Sequence, residues 1–589
     1  MTEKWLLKKR NFDPSIFLEK GPFDEKMRDL LARRDLESKD QLINFLEKDP
    51  SHEYDPFLLR DMKVSTKIIN HKIKNKEKIL LVLDYDVDGI ISGAIAYMGL
   101  KGLGALCSCI FPDRVNEGYG LNHRIIEHAI KNNYSTIITF DNGIAAFESV
   151  EMARKNNLDI IITDHHEVPQ VEENGLSRDR LVNATAIINP KQTRCEYPYK
   201  HICGAMIAYK LIQALYLSRG IPLEKIKDLY NLVSIATICD VMELRDENRI
   251  FVSQGLDGLS KSQMIGIKSL LSKLNLDHHP NLTVNDIGFK LGPVLNSSGR
   301  LETADMALRL LVSENQQDAE KMADHLVALN EERKKLTKEA TALAQSTVRT
   351  EALTENNIII LLLSDIHESL AGIVAGRIKE EYNLPVIVFT NGSEYIKGSA
   401  RSPDHVNIFS ELSKFKKYLS KFGGHAAAAG LSIEKDQFES FKDSIIKHFN
   451  SLDVDHTKNY YVDDIIDIGE ANLQLAKKIK VFEPTGKGNP SLLFSSLHLT
   501  LKKVIFLGDS QSALKLDFSN GLVTKSFISF APQKTLDYIK YKMNFEADHD
   551  IIEGKPEIYD SFYFDLLYKV NINYYKNNEY LNLELVSIR

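Results

Sequence analysis

Between Ile79 and Asp240, short and nearly continuous apolar runs alternate with stretches of helical character, and this alternation limits the possible folds more than any other feature. The runs are Ile79–Leu83, Thr136–Phe140, Leu158–Thr163 and Ala186–Asn189; the helical stretches include Ile90–Leu100 and Ala145–Asn156. A run without apolar/polar alternation is buried on both faces, as in a parallel sheet covered by helices. The β-α-β order therefore predicts an open parallel α/β sheet. In such sheets functional groups gather beyond the carboxyl ends of the strands, and Asp84, Asp141 and Asp164 stand at those ends.

Asp84, Asp86 and Asp88 alternate just before Gly89. On a continued strand they would share one face, but the glycine suggests a turn in which the carboxylates converge. Clustered carboxylates without a counterion shift toward the protonated form, so the cluster points to a divalent cation. Asp141-Asn-Gly143 repeats the theme, although turn chemistry alone accounts for such a tripeptide. Asp164-His165-His166 follows another strand, and Asp240 follows Ser234-Ile-Ala-Thr-Ile-Cys239. Carboxylates with one or two imidazoles suit Mn²⁺, or Mg²⁺ with more retained water, better than a thiolate-rich zinc site. Asp277-His278-His279 has the same spelling but no preceding strand, and Pro280 follows it; it reads as loop.

A chain of 589 residues is too long for one core, and about 100–200 residues per domain suggests three or four. From Glu314 to about Val348, Ala319, Met322, Leu326, Leu329, Leu336, Ala340 and Leu343 recur at helical spacing, and Ser313 to Gln316 fits a capping box. A second α/β block has strands at Ile358–Leu363 and Pro385–Phe389, with glycine-rich pieces at Gly398–Ser402 and Phe422–Gly430. Short β-branched and aromatic segments after Asp455 (Leu497–Phe506, Ala513–Phe518, Phe562–Ile572) predict a small all-β module such as a barrel. The expected division is an N-terminal segment (1–50), a catalytic α/β domain (51–312), a connecting helix (313–352), a smaller α/β domain (353–452) and an all-β domain (453–589).

A formal net charge of −7 gives no general basic coat, so contacts with nucleic acid must rest on local patches. The five cysteines (Cys107, Cys109, Cys195, Cys203 and Cys239) form no C-x-x-C pair, and their odd number fits a reduced compartment. The N-terminus develops no apolar core of a leader, and no run reaches the roughly 18–20 apolar residues of a membrane span. A cytoplasmic protein is expected.

Asp84-Tyr-Asp-Val-Asp-Gly89, Asp141-Asn-Gly143, Asp164-His-His166 and Ala236-Thr-Ile-Cys-Asp240 resemble, in order and context, the DHH phosphoesterase superfamily. Arg114-Val-Asn-Glu-Gly-Tyr-Gly-Leu121, Leu295-Asn-Ser-Ser-Gly-Arg300, Gly398-Ser-Ala-Arg-Ser402, Phe422-Gly-Gly-His425 and Glu483-Pro-Thr-Gly-Lys-Gly-Asn-Pro490 narrow the resemblance to the RecJ family of single-strand-specific 5′→3′ DNA exonucleases. It spans nearly the whole chain and is weakest at both ends. It implies a DHH domain, a connecting helix, a DHHA1 domain and a C-terminal OB-fold. It also implies two ions, Mn²⁺ or Mg²⁺, on Asp84, Asp86, Asp88, Asp141, His165 and Asp240, with Asp141 bridging. Asp141, His165 and His166 would be catalytic, His166 lying near the scissile phosphate, and the products would be 5′-mononucleotides. Arg114, Tyr119, Asn296, Arg300, Ser399, Arg401, Gly424 and His425 would hold the DNA and its 5′ end.

The arginines are planar forks suited to a terminal phosphate, although each alone suits a surface ion pair as well. Tyr119 suits base stacking or a core position equally. Lys414, Lys416, Lys417 and Lys421 fit either a channel entrance or a solvated helix face. The implied setting is DNA repair and recombination by a monomer, with single-stranded DNA as substrate and a single-strand-binding protein and a helicase as partners. Asp365-Ile-His-Glu-Ser-Leu-Ala-Gly372 lacks the family's usual tryptophan, and Ser297 and Ser298 stand where alanines are usual. The alternatives are a DHH phosphoesterase for short oligonucleotides or cyclic dinucleotides, against which the long helix and β module argue, and a non-catalytic scaffold, which would be expected to have lost ligand positions.

Overall fold

A computed structural model describes residues 3–12, 23–36, 38–113, 117, 120–173, 175–277, 282–392, 395–455, 457–508, 512–544, 561–575 and 578–589. They fall into two compact units, one of Glu53–Met242 with Gln254–Lys458, the other of Glu3–His52, Glu243–Ser253 and Asn459–Arg589.

In the first unit the apolar runs become β1 (Lys78–Leu83), β3 (Thr136–Phe140), β4 (Asp159–Thr163) and β5 (Ala186–Ile188), joined by β2 (Leu106–Ile110). The sheet order is β2-β1-β3-β4-β5, with every neighbouring pair parallel. This order reverses direction between β1 and β3, where an open α/β sheet splits to receive a ligand. Asp84 and Asp141 directly follow those two strands. Helix α1 (Val87–Gly102) leaves β1, is apolar all round and is buried almost throughout; α2 (Gly204–Ser218) and α3 (Lys227–Cys239) pack on it. Helix α4 spans Gly292–Leu301.

Helix α5 (Gln316–Thr350) is the long connecting helix. Its cap differs from the expected box: the Asn315 side chain accepts the Asp318 N–H at 3.1 Å, while Ser313 Oγ bonds the Asn315 backbone. Asparagine is at least as good a cap as serine, and the serine closes a turn before the helix instead. Ala340, Ala344 and Val348 of α5 are buried in one cluster with a second, smaller sheet.

That sheet comprises β6 (Ile359–Leu362), β7 (Val386–Asn391), β8 (Ile396–Arg401), β9 (Leu419–His425) and β10 (Ala428–Ile433), in the order β9-β10-β8-β7-β6. β6 and β7 are parallel and are linked through α6 (Glu368–Tyr382), whereas the other pairs are antiparallel. The glycine-rich pieces are thus strands rather than loops. β8 shows why: Ile396, Gly398 and Ala400 are buried while Lys397, Ser399 and Arg401 alternate with them toward solvent.

In the second unit, β11 (Phe494–Leu507), β12 (Ala513–Ser519), β13 (Thr524–Ser529), β14 (Tyr563–Tyr575) and β15 (Asn578–Ile588) follow the order β11-β12-β13-β15-β14, and β14 pairs back onto β11. Closure of this kind removes exposed strand edges. Phe494, Phe518, Phe527, Phe564 and Tyr568 form its core together with Met27, Leu30, Leu31, Leu42 and Phe45 from helices Glu25–Ala32 and Lys39–Glu47. Buried Arg249 stacks on Phe45 and donates to the carbonyls of Phe45, Val481, Phe482, Glu483 and Pro484. Among the described residues no helix is long and apolar enough to cross a membrane.

Candidate metal centre

Three consecutive strand ends and one helix end deliver the polar groups. Beyond β1, Asp86 caps α1 by accepting the Gly89 N–H at 3.1 Å. Gly89 permits that turn, since a Cβ there would lie 2.4 Å from the Asp84 carbonyl oxygen. Asp88, buried in the first turn of α1, receives the Gly204 and Ala205 N–H groups of α2 at 2.6 and 2.7 Å. The triplet therefore both caps two helices and clusters carboxylates.

Beyond β3, Asp141 takes a left-handed backbone (φ 63°), and Asn142 Nδ2 ties the turn to the Val82 and Phe140 carbonyls. Beyond β4, Asp164 accepts the Ile144 N–H, the His166 N–H and His166 Nδ1 at 2.9, 3.0 and 2.7 Å. His165 points the other way: its Nε2 lies 3.1 Å from Asp141 Oδ1, 3.6 Å from Asp240 Oδ2 and 3.7 Å from Asp88 Oδ2. Asp240 is the C-cap residue of α3, so a helix rather than a strand supplies this acid.

The result is three overlapping groups, Asp84–Asp86–Asp141, Asp141–His165–His166 and Asp88–His165–Asp240, with ligand atoms in each within 4.8 Å of one another. Asp141 and His165 are each shared by two groups. Electrostatics matches the geometry. Burial, then the Asp86 charge, pushes Asp88 up to about 7. Asp141 is raised well above the carboxylate range by burial and by the charges of Asp88, Asp86, Asp84 and Asp240. Burial, then His166, lowers His165 to about 3, so its imidazole is neutral among three carboxylates. A neutral imidazole with crowded carboxylates is the donor set of a shared divalent cation, not of an ion pair. Thiolates are excluded from it, because burial raises both Cys203 and Cys239. For half-exposed His166, burial is outweighed by the Asp164 charge and hydrogen bond, which lift it to about 9.

The sequence matches three family profiles: "DHH family, N-terminal domain" over residues 78–237, "DHHA1 domain" over 355–451 and "RecJ OB domain" over 462–587. The single-stranded-DNA-specific exonuclease RecJ of Escherichia coli (strain K12) is 30% identical over 554 residues, which cover 90% of each chain. The chain belongs to the RecJ family. The RecJ exonuclease of Bacillus subtilis (strain 168) is 32% identical over 496 residues, covering 83% of this chain but only 61% of that longer protein. A crystal structure of RecJ from Thermus thermophilus in complex with Mn²⁺ has the same fold, with a TM-score of 0.79, 21% identity, and coverage of 100% of this chain and 80% of that one.

In the DHHA1 domain, Ser399 and Arg401 lie on β8, Gly424 and His425 at the end of β9. A cavity of about 440 Å³ runs from Tyr85, between two of the aspartates, to Ser369, Lys397, Ser399, Lys421 and Phe422. Arg300 Nη1 donates to the Ser369 carbonyl at 2.9 Å. Half-buried Arg401 donates to the Ala400 carbonyl and, among the described residues, pairs with no carboxylate. Lys414 pairs with Glu411 and Lys417 lies over the Tyr418 ring, whereas Lys421 lines the cavity. Asn296 faces the aspartate turn, its Oδ1 accepting the Val87 N–H. Arg114, Tyr119, His278 and His279 lie outside the described residues. Sequence reasoning missed Tyr85 as a cavity wall, the Glu368–Lys397 pair at its rim (2.7 Å) and Asp164 as the orienting group of His166. Only Tyr85 and Asp164 carried a signal, since each sits inside a motif.

Proposed function

We propose that the chain is a cation-dependent exonuclease that degrades single-stranded DNA from its 5′ end and releases 5′-mononucleotides. The observation that carries this reading is the sharing of Asp141 and His165 among three ligand groups at the sheet's switch point. Asp84, Asp86, Asp88, Asp141, His165 and Asp240 would hold two ions, Mn²⁺ or Mg²⁺, with Asp141 between them. When bound, such ions supply Lewis acidity for the attacking water and neutralise charge on the phosphate.

The protein's own groups do the rest. Asp164 fixes His166 with Nδ1 bound, so that Nε2 faces outward as a proton-bearing donor to a scissile phosphate oxygen. The Lys421 ammonium gives the cavity charge that a terminal phosphate needs. Arg401, two residues beyond the cavity-lining Ser399 on the same strand and without a carboxylate partner among the described residues, would add a planar fork for that phosphate. Ser399, Gly424, His425 and Arg300, with Arg114 and Tyr119, complete the proposed 5′-end contacts. Confinement of that end next to the cations sets the polarity of digestion.

The proposed domain limits are 51–312 (DHH), 313–352 (connecting helix), 353–452 (DHHA1) and 453–589 (OB), after an N-terminal segment, 1–50. The OB module would guide the strand by stacking and phosphate contacts. The proposed setting is a monomer in the cytoplasm, acting in repair and recombination on strands exposed by a helicase and coated by a single-strand-binding protein.

The test is a product ladder from 5′- and 3′-labelled single strands with each cation. Label at the 5′ end should appear at once as mononucleotide, while a 3′-labelled strand shortens progressively. Cleavage confined to dinucleotides, or progress from the 3′ end, would overturn the reading.

A further inference from the structure

The motif Asn296-Ser-Ser-Gly-Arg300 divides between two faces of α4. Ser297 and Ser298 are buried, and their hydroxyls donate to carbonyls behind them, Val294 (2.6 Å) and Leu326 (3.2 Å) for Ser297, Leu295 (3.2 Å) for Ser298. Asn296, Gly299 and Arg300, at i, i+3 and i+4, share the other face. On that face Asn296 Oδ1 accepts the Val87 N–H at 3.2 Å. A Cβ on Gly299 would lie 2.2 Å from the Tyr85 carbonyl oxygen, so helix and turn meet backbone to backbone. These two contacts bracket Asp86, one on the peptide before it and one on the peptide after it. The donor is a backbone N–H, which fixes the amide orientation: oxygen toward Val87, Nδ2 away.

We propose that Asn296 is a positioning residue for the divalent-cation site: its side-chain oxygen, with the close approach at Gly299, sets the height of the turn carrying Asp84 and Asp86. This rests on the cation-dependent reading above and reassigns Asn296 from a contact with DNA to a contact with the metal-bearing turn. The Val87 N–H is one of the first amides of α1, which have no partner within the helix. Asn296 satisfies it from a separate element and so couples the turn to α4. Outer partners of this kind usually contribute about 10–100-fold to metal affinity.

The experiment measures Mn²⁺ binding by calorimetry and, separately, single-strand binding without divalent cations, for the full chain and for Asn296→Ala and Asn296→Asp. The alanine variant removes the acceptor and should weaken Mn²⁺ binding about 10–100-fold while leaving DNA binding within a factor of about two. The aspartate variant keeps an acceptor oxygen but loses Nδ2, so it should retain Mn²⁺ affinity. If Asn296 served DNA through Nδ2, the aspartate would instead lose DNA affinity at unchanged Mn²⁺ affinity, and the proposal falls. It also falls if both variants bind Mn²⁺ like the wild type. Should the alanine variant not fold, the aspartate variant decides alone on those two readouts. A wild-type chain that binds no Mn²⁺ would count against the cation-dependent reading itself, a separate result.

Discussion

Replacing Gly204 by alanine is the smallest change that reaches the carboxylate shared between two ligand groups. A Cβ at residue 204 would lie 2.7 Å from Asp141 Cβ and 2.9 Å from its Oδ1. Non-bonded carbons settle about 3.5–4.0 Å apart, so α2 or Asp141 must withdraw by about 1 Å. Both are tethered. The Gly204 and Ala205 N–H groups hold Asp88, and Asp141 Oδ1 sits 3.1 Å from His165 Nε2. Overpacking at such a position costs about 1–3 kcal/mol, which leaves the protein folded. A shift of about 1 Å in a reacting group costs about 10²-fold in rate. Gly204→Ala should therefore cleave a 5′-phosphorylated single strand about 10²-fold more slowly in single-turnover assays and bind Mn²⁺ more weakly. Gly376→Ala in α6 is the control: an added Cβ meets nothing within 4 Å there, and relief from glycine in a helix is worth about 0.5–1 kcal/mol. If Gly204→Ala folds and matches the wild type in rate and Mn²⁺ affinity, Asp141 is not held as the geometry requires.

Other outcomes follow from the same structure. Asp88 and Asp141 are raised carboxyl groups, so the native cation-free protein keeps protons that the unfolded chain releases. Their contribution to stability is fully present below about pH 4 and is lost as pH rises through about 7 for Asp88. Mn²⁺ takes the place of those protons, so it should raise Tm more at about pH 8 than at about pH 5.5; an equal rise at both would contradict the assignment. Asp164→Asn removes the charge on His166 Nδ1 and should slow cleavage at about pH 8 by about 10²-fold with little change in Mn²⁺ binding by calorimetry. Arg249→Met removes a buried guanidinium that donates to five carbonyls. Phe482 and Pro484 keep Asn489 and Glu483 keeps Lys48 as a second donor, so the loss falls on Phe45 and Val481 and should cost about 3 kcal/mol in urea unfolding. An unchanged midpoint would show that the guanidinium carries no such weight.

Local signals were readable where one residue does one job. The buried strands β1, β3 and β4 announce themselves as unbroken apolar runs, and the acids at their ends lie in order in the sequence. β2 escaped because Leu-Cys-Ser-Cys-Ile is an edge strand, exposed or half-buried along its length. β8, β9 and β10 escaped because glycine and alanine fill positions where strand-forming side chains would stand. Nothing local to Asp88 predicts that amides 116 and 117 residues away close on its carboxylate. Nor does the N-terminal sequence reveal that Met27, Leu30 and Phe45 complete the core of the C-terminal barrel. Pairings of this range are set by tertiary packing, which periodicity cannot express. The carboxylates and imidazoles of the site were visible; the groups around them (Gly204 against Asp141, Asn296 on the aspartate turn, Asp164 on His166) acquire their meaning only in three dimensions.

The most direct test of the two-cation centre is anomalous diffraction at the manganese edge from crystals of the full chain grown with Mn²⁺. Two peaks about 3.5–4 Å apart are expected, both within ligand distance of Asp141, one also near Asp84 and Asp86 and the other near His165 and Asp240. A single peak, or peaks that do not share Asp141, would contradict a shared centre.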